Sequence, residues 1–412
     1  MLAPYRVLDL SDEKAVYAGY LLAALGADVI KVEPPNGDAL RDLAPFLHDE
    51  TGADHGYHWL AYNVNKRGIT LDIVKLRGRK LFLELVKKAD VVLESFDPGH
   101  LDKLGLGYEE LVKVNPKLIM TSVTPFGPDG PYADFAASDL VCWAMGGLLA
   151  QTGDPDSRPI RVSQINFAYL LASMDAAWAT TMALYWRGTS GQGQQVDVSI
   201  QASVAKTTFL SHESWEVTGR EQARASSFYR VHNSDVRLKQ VWECKDGHIA
   251  FLIFGGSWGA THDNPRFVKW LEEEGMADDY ISNLNWEKLN WRKTPHDEVD
   301  KIHNYFGRFF ASKTKDELLQ EALKRRIALQ PINTPVDIVK HPQLKVRDYW
   351  QDLPEPGQDT PLTYPGRFCL PSRAPCIVKR HAPRLGQHNS EIYADIGLSE
   401  ADITELREAR VL

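Results

Sequence analysis

Cysteine is scarce in this chain: Cys142, Cys244, Cys369 and Cys376 are the only four in 412 residues. That is too few to staple a chain of this size, and none has the close spacing of a metal-ligand pair. A reducing compartment, the cytoplasm, is the expectation. Positive charge is not in excess either, since 47 Lys and Arg stand against 55 Asp and Glu, a formal net charge of −8. A nucleic-acid partner, which needs Lys and Arg concentrated on one face, is therefore not expected. The short basic group Lys324-Arg325-Arg326 reads as a solvated helix end. MLAPYRVLDLSDEK lacks the continuous apolar run of a signal peptide, so export is not expected. The nearest approach to a membrane span is Phe167–Trp186, but Asp175 sits near its middle and Ser173, Thr180 and Thr181 dilute it. A carboxylate at the bilayer centre costs roughly 2.5–3.5 kcal/mol, and the segment reads as a buried helix of a soluble protein.

Phosphate and metal motifs are missing as well. A dinucleotide fold wants Gly-x-Gly-x-x-Gly in its first βα turn, so that the pyrophosphate can approach the helix N-terminus. Here that turn reads LSDEKAVYAG, with acids where the glycines belong. NAD or FAD is not expected, and without GxxxxGK[ST] neither is nucleotide triphosphate chemistry. There is no HExxH and no CxxC; His55 and His58 in GADHGYH come nearest to a metal pair and read as a surface loop. A GxSxG elbow is absent, and no cysteine sits in a catalytic motif. Gly255-Gly256, after a hydrophobic strand, reads as a turn, with a mobile lid as the alternative. There is no internal repeat and no low-complexity tract.

What is present is a βα grammar. YRVLDL (5–10) and ADVIKV (27–32) flank an Ala- and Leu-rich helix ending at Gly26, and ADVVLES (89–95) and KLIMTSV (117–123) repeat the pattern. Leu76–Lys88 carries apolar residues at helical spacing. After PFGPDGPY (125–132) come a helix about Asp139–Leu149, a long one about Ile165–Tyr185, and GTSGQGQQVDVSI (188–200), a turn feeding a strand. Such alternation makes a largely parallel open sheet, with the ligand crevice at the carboxyl ends of its strands. The length calls for two domains, and 43% hydrophobic content is enough to bury both cores. Near 220 the texture changes. VWECKDGHIAFLIF (241–254) reads as a hairpin with Asp246-Gly247 as its central pair. Helices follow about Phe267–Glu274, Asp297–Phe310 and Thr314–Arg326, the last opening on a capping box from Thr314 to Glu317. The Pro-rich tail is expected to pack back on the first domain and to end in a helix about Glu400–Arg410 behind Ser399. The expected division is a large α/β domain of 1–215 and 330–412, a small α+β domain of 225–325, and linkers at 216–224 and 326–335. Trp143, Trp178 and Trp186, on long helices, read as core.

The runs GADVIKVEPPNGD (26–38), NVNKRGITLDI (63–73), ADVVLESFDPGHLDKLGLGYEEL (89–111), NPKLIMTSVTPFG (115–127) and GTSGQGQQVDVSIQ (188–201) closely resemble the family III CoA-transferases. So do PINTPVDIVKHPQL (331–344) and APRLGQHNSEIYADIGL (382–398), which carries the resemblance over nearly the whole chain, weakest between about 205 and 330. The resemblance implies a Rossmann-like large domain built from both chain ends, an inserted small domain, and two subunits interlinked like rings. It implies CoA and acyl-CoA as substrates, with no permanently bound cofactor, and transfer through an aspartyl anhydride and an aspartyl-CoA thioester. By motif, the CoA contacts fall on Lys14 and Ala15 in the first turn, Leu71 and Asp72 in ITLD, Ser95 and Phe96 in ESF, and Lys103 in DKLGL, where the family usually has Arg. Ser95 stands where Asn is usual, and Pro34 where some members have an adenine-stacking Arg.

One departure falls on the nucleophile. Family sequences run from Arg-Val-Gly-Val-Pro-Ile-Ala-Asp into the long helix; here the stretch is RVSQINFAYLLASMD (161–175). Counting back from GQGQ puts the aspartate position at Tyr169, and counting forward from Arg161 puts it at Ala168. Neither is a carboxylate. Asp175, six residues beyond Tyr169, is displaced by about a third of a turn on a 3.6-residue helix. SFDPG and INFAY resemble the two-subunit benzylsuccinate branch of the family, and within it the subunit without the aspartate. The expectation is a non-catalytic subunit beside a paralogue that brings the aspartate. The alternatives are a self-sufficient transferase, lyase or racemase-like enzyme using other acid and base residues, and a CoA-binding protein without chemistry.

Overall fold

In the computed structural model of the chain, residues 1–47, 54–162, 164–221, 224–231, 234–255, 263–354 and 361–412 are described. They form two compact units, Met1–Leu149 with Ser163–Val217 and Pro342–Leu412, and Ala150–Val162 with Thr218–His341.

The larger unit is built on six parallel strands: β1 (Arg6–Asp9), β2 (Asp28–Glu33), β3 (Arg67–Thr70), β4 (Val91–Glu94), β5 (Ile119–Thr124) and β6 (Gln194–Ser199), in the order β3-β2-β1-β4-β5-β6. Five of these strands, β1 to β5, are buried almost throughout because helices cover both faces of the sheet, and even their polar residues Asp9, Lys31, Glu33 and Thr121 are buried. Neighbouring residues separate cleanly between those faces. Val7, Val29, Val91 and Ile119 join one core; Leu8, Ile30, Val92 and Met120 join the other. The first core is closed by α1 (Val16–Ala24), α6 (Asp139–Met145), α7 (Phe167–Ser190) and α8 (Ile200–Ala205), which contribute Leu22, Trp143, Ala172 and Val204. The second is closed by α3 (Leu76–Val86) and α5 (Tyr108–Val114) through Phe82 and Leu111, and by Ile392, Tyr393, Ile403 and Leu406 from the tail. Short helices α2 (Tyr57–Tyr62) and α4 (His100–Lys103) sit in the connections.

The tail covers the exposed edge of β3. Tyr393 donates its hydroxyl to the Thr70 carbonyl at 2.7 Å, and Asn389 accepts the Thr70 amide at 2.9 Å. An open parallel sheet is protected at that edge by a segment more than 300 residues distant in the chain. The closing helix Glu400–Glu408 starts on a capping box from Ser399 to Asp402.

The chain runs β1 to β3 in one direction across the sheet, then returns to place β4 on the other side of β1. The connections leaving β1 and β4 therefore part, and a crevice opens at their carboxyl ends. A buried ionic network fixes the first of those connections. Asp9, at the end of β1, accepts the Lys66 ammonium at 2.8 Å and the Ser11 hydroxyl at 2.5 Å. Lys66 also donates to the Val16 carbonyl at 3.0 Å, while Lys31 bonds the Ser11 carbonyl and pairs with Asp38 at 3.0 Å. Burial resists the charge on Asp9, but Lys66 and Lys31 together hold its pKa below the ordinary value. A side chain at position 19 would strike the Asp9 carboxylate, so Gly19 is what lets α1 lie against the pair.

In the smaller unit, β9 (Val241–Cys244), β10 (Gly247–Ala250) and β11 (Gln330–Pro331) form an antiparallel sheet beside the short ribbon of β7 (Phe228–Arg230) and β8 (Arg237–Lys239). Its core is aromatic, with Trp242, Phe251, Phe267, Trp270, Phe306 and Phe309 packed together. The capping box at Thr314 and Glu317 is formed. The hairpin differs from its expected register. Gly247 pairs with Cys244, so Lys245 and Asp246 make the turn, and neither has positive φ.

The division between units also differs from the expected one. Residues 150–162 belong to the smaller unit, because Arg224 bonds the carbonyls of Asp154 and Ser157 at 3.1 and 2.6 Å, and Arg237 pairs with Asp156 at 3.2 Å. The return to the larger unit comes at 342 rather than 330, since Gln330 and Pro331 pair with β10 and Lys315 pairs with Asp337 at 2.6 Å. Of the three tryptophans, Trp143 is core, but Trp178 and Trp186 are exposed. Among the described residues no helix is long and apolar enough to cross a membrane, α7 included.

Removing one partner of a buried ion pair strands the other charge, a loss of roughly 3–5 kcal/mol. Lys66→Met is therefore expected to lower the urea midpoint of unfolding by that equivalent, whereas Lys113→Met, at an exposed pair, should leave it nearly unchanged.

Candidate functional site

Two connections meet across the crevice. In the β1–α1 turn the Asp12 amide donates to Ser95 Oγ at 2.9 Å, and Ser95 Oγ donates back to Asp12 Oδ1 at 2.7 Å. Ser95, the first residue after β4, thus ties the two loops together. Asp12 also accepts the Lys14 amide at 3.0 Å and pairs with the Lys14 ammonium. Ala15 is fully buried behind them. Phe96 donates its amide to Glu94 at 2.8 Å, and its half-buried ring stacks on His100 at 4.7 Å. Lys103, at the end of α4, is exposed. Lys14, Ala15, Ser95 and Phe96 are therefore brought together at the parting of the strands. Leu71 and Asp72 stand two strands away beyond β3, where Asp72 caps the Val74 amide at 3.0 Å. Pro34 is exposed after β2.

Two cavities open along this edge, each of about 270 Å³. The first lies over β4 to β6 and is lined by Glu94, Phe96, His100, Ser122, Thr124 and Asp197. Burial raises the Glu94 pKa from 4.5 to about 7, against the opposing bonds from Ser122 and the Phe96 amide. The second is lined by Glu13, Tyr17, His58, Tyr62, Asn166 and Tyr169 among others. Glu13 lies at its rim, where Asn166 Nδ2 donates to it at 3.1 Å, and partial burial followed by the charge of Asp12 raises its pKa.

The head of α7 forms one wall. Buried Asp139, in the first turn of α6, accepts the Ala168 and Tyr169 amides at 2.8 and 3.2 Å, placing an anion where the helix dipole favours one. Tyr169 is buried, and burial pushes its phenol pKa up, so the group stays a neutral hydroxyl. Ala168 is buried too. Asp175 pairs with Lys206 further along α7 and lines neither cavity.

Two acids outside the recognised motifs belong to these cavities. In the sequence Glu13 only stands where a glycine-rich turn would have a glycine and Glu94 only closes a strand, although a carboxylate ending a buried parallel strand is itself a signal. His58 departs from its surface-loop reading, since it lies on α2 and lines the second cavity. Among the described residues no group of three His, Cys, Asp or Glu could hold a metal. Gly255 packs where a side chain would strike the Trp291 indole nitrogen; Gly256 lies outside the described residues.

A family model described as CoA-transferase family III matches residues 2–389. The chain belongs to that family. It is 33% identical over 404 residues to the succinyl-CoA:(R)-benzylsuccinate CoA-transferase subunit BbsE of Thauera aromatica, covering 98% of this chain and 96% of that one. It is 32% identical over 414 residues to the succinyl-CoA–D-citramalate CoA-transferase of Chloroflexus aurantiacus, covering 99% and 97%. Among solved structures, a CAIB/BAIF family protein from Brucella suis superposes with a TM-score of 0.80 at 29% identity, covering 95% and 98% of the two chains. Family III enzymes work on CoA thioesters and acids, and the crevice between β1 and β4 is where this fold offers a ligand its place.

The Glu94 shift carries a sign. A carboxyl whose folded pKa lies above its unfolded one binds more protons when folded, so stability falls as pH rises from about 4.5 to about 7. Glu94→Gln removes that penalty. Relative to the parent protein, the variant is expected to gain up to about 3 kcal/mol at pH 8 and little at pH 4, read from urea unfolding at the two pH values.

Proposed function

We propose that this chain is one subunit of a heteromeric transferase that moves CoA between carboxylic acids in the cytoplasm, and that a paralogous subunit supplies the nucleophilic aspartate. The acids are of the succinate and benzylsuccinate kind. The observation that carries this reading is Tyr169: a buried, neutral phenol stands at the head of α7, where the family resemblance puts the aspartate, and no aspartate is among the described residues lining that cavity. The relative from Thauera aromatica, itself described as a subunit, supports the same reading.

A surface for the second chain supports it further. Met174, Trp178, Met182, Tyr185 and Trp186 recur at helical spacing along α7 and are all exposed, Trp178 at 68% and Tyr185 at 74%. A stripe of this size on a soluble chain marks an interaction site. An interlinked heterodimer would cover it. CoA would lie across the larger unit, its phosphates near Lys14 and Lys103, its base near Phe96, and Leu71 and Asp72 flanking it beyond β3.

A second reading, a self-sufficient enzyme, is favoured by one feature, the Glu13 carboxylate at the rim of the same cavity.

Co-expression with a paralogue carrying the aspartate is expected to give a heteromer by native mass spectrometry and CoA transfer from succinyl-CoA to an acceptor acid. Hydroxylamine should then trap an aspartyl hydroxamate on the paralogue and none on an aspartate of this chain. Trp178→Glu should abolish the heteromer. A homodimer alone that transfers CoA would refute the subunit reading.

A further inference from the structure

A cavity of about 440 Å³ lies wholly within the smaller unit and is larger than either of those at the crevice. A cavity of about 150 Å³ already takes a benzene ring, and small-molecule sites run upwards from roughly 300 Å³. Three segments form its walls. Tyr229 and Leu238 stand on the β7–β8 ribbon, which Val231 closes by donating its amide to the Val236 carbonyl at 3.0 Å. Residues 252–255 follow β10. The third segment is 287–292. There Asn285 Oδ1 accepts the Lys288 amide and Asn290 Oδ1 the Arg292 amide, both at 3.1 Å, while the Asn290 carbonyl accepts the Thr294 hydroxyl at 3.0 Å. These local bonds fix the backbone that carries Lys288, Trp291 and Arg292.

The lining is apolar within and cationic at its exposed edge. Val231, Leu238 and Ile253 are buried, and Trp291 adds a buried aromatic wall whose indole Nε1 has no hydrogen-bond acceptor. Native interiors seldom leave such a donor unpaired. It calls for an oxygen, and the cavity that Trp291 borders is where one can be placed. Gly255, in the same lining, lies against that nitrogen, since a Cβ there would come within 2.6 Å of it. Lys288 and Arg292 are exposed and form no ion pair among the described residues, and Glu287 is the one acid beside them in the lining. The balance of charge at that edge is positive.

We propose that this cavity is a binding site for a carboxylic acid with an aromatic body, the ring held by the apolar walls and the carboxylate by Arg292 and Lys288. The site belongs to the smaller unit alone, and the proposal does not rest on the CoA-transferase reading.

The probe is 3-phenylpropanoate, titrated calorimetrically into the full chain, with 3-phenylpropanamide as the uncharged control. The acid is expected to bind. Combining Lys288→Glu with Arg292→Glu, both at exposed positions, should weaken the acid by at least about tenfold and leave the amide within about twofold. Leu289→Trp, which fills the cavity from a half-buried position, should remove binding of both while the melting temperature is kept. If that variant fails to fold, the charge reversal still decides. Absence of acid binding overturns the proposal, as does binding that the charge reversal leaves intact. Equal loss of acid and amide on charge reversal overturns the carboxylate assignment. Displacement of the acid by succinyl-CoA would put it in the crevice instead and overturn the site. None of these outcomes decides the CoA-transferase reading, which the heteromer's transfer assay tests separately.

Discussion

The ion pair between Asp9 and Lys66, with Lys31 beside it, is the constraint on which the site depends. Nucleotide-binding folds of this topology commonly shape the first βα turn with glycines, which let the backbone bend tightly. This chain has Ser11, Asp12, Glu13 and Lys14 there instead. Its turn is held from beneath by charge, through Lys66 on the Val16 carbonyl and Lys31 on the Ser11 carbonyl. Such buried charges are stable only because each is matched and hydrogen-bonded. Glycine is still required, but at Gly19, one turn into α1, where it makes room for the pair rather than for a phosphate.

With the turn fixed, the remaining geometry follows from two further polar contacts. Ser95 joins the turn to the end of β4, and Asp139 joins α6 to the head of α7. Each links segments far apart in the chain, 83 residues in one case and 29 in the other, so the cavity walls are set by tertiary contacts and not by any one element. Charged side chains do the positioning, and the two cavities differ in character: the one over β4 to β6 is lined largely by polar and acidic groups, the one at the head of α7 more by apolar and aromatic ones. Two carboxyls, Glu13 and Glu94, are left with raised pKa values at the cavities.

Much of the larger unit was legible because its strands carry short β-branched runs between helices that are apolar or amphipathic, an alternation that repeats along the chain. β1 and β4 fall inside the runs at 5–10 and 89–95, and β2 and β5 extend one residue past those at 27–32 and 117–123. The helix caps at Thr314 and Ser399 were legible for a local reason, since a capping box spans only four residues. What failed was non-local. Residues 150–162 join the smaller unit through Arg224 and Arg237, seventy or so residues away, and nothing within the segment announces that. The hairpin slipped because Asp246 spends its carboxylate on the Lys315 amide, fixing a turn without positive φ at its centre. Trp178 and Trp186 were misjudged because an apolar helix stripe reads the same whether it meets its own core or another surface. Glu13 was hidden because a carboxylate in a turn acquires meaning only from the opposite wall, and that wall comes from α7.

The bare stripe on α7 also has a consequence for how the chain is made. Exposed Trp178, Tyr185 and Trp186 are a surface that sticks to itself or to passing hydrophobic segments when nothing covers it. Copies synthesised in excess of whatever shields that helix are the ones exposed to aggregation and to proteolytic clearance. In the proposed heteromer, the supply of the covering subunit, and not the stability of either core, would set how much of this chain a cell can keep.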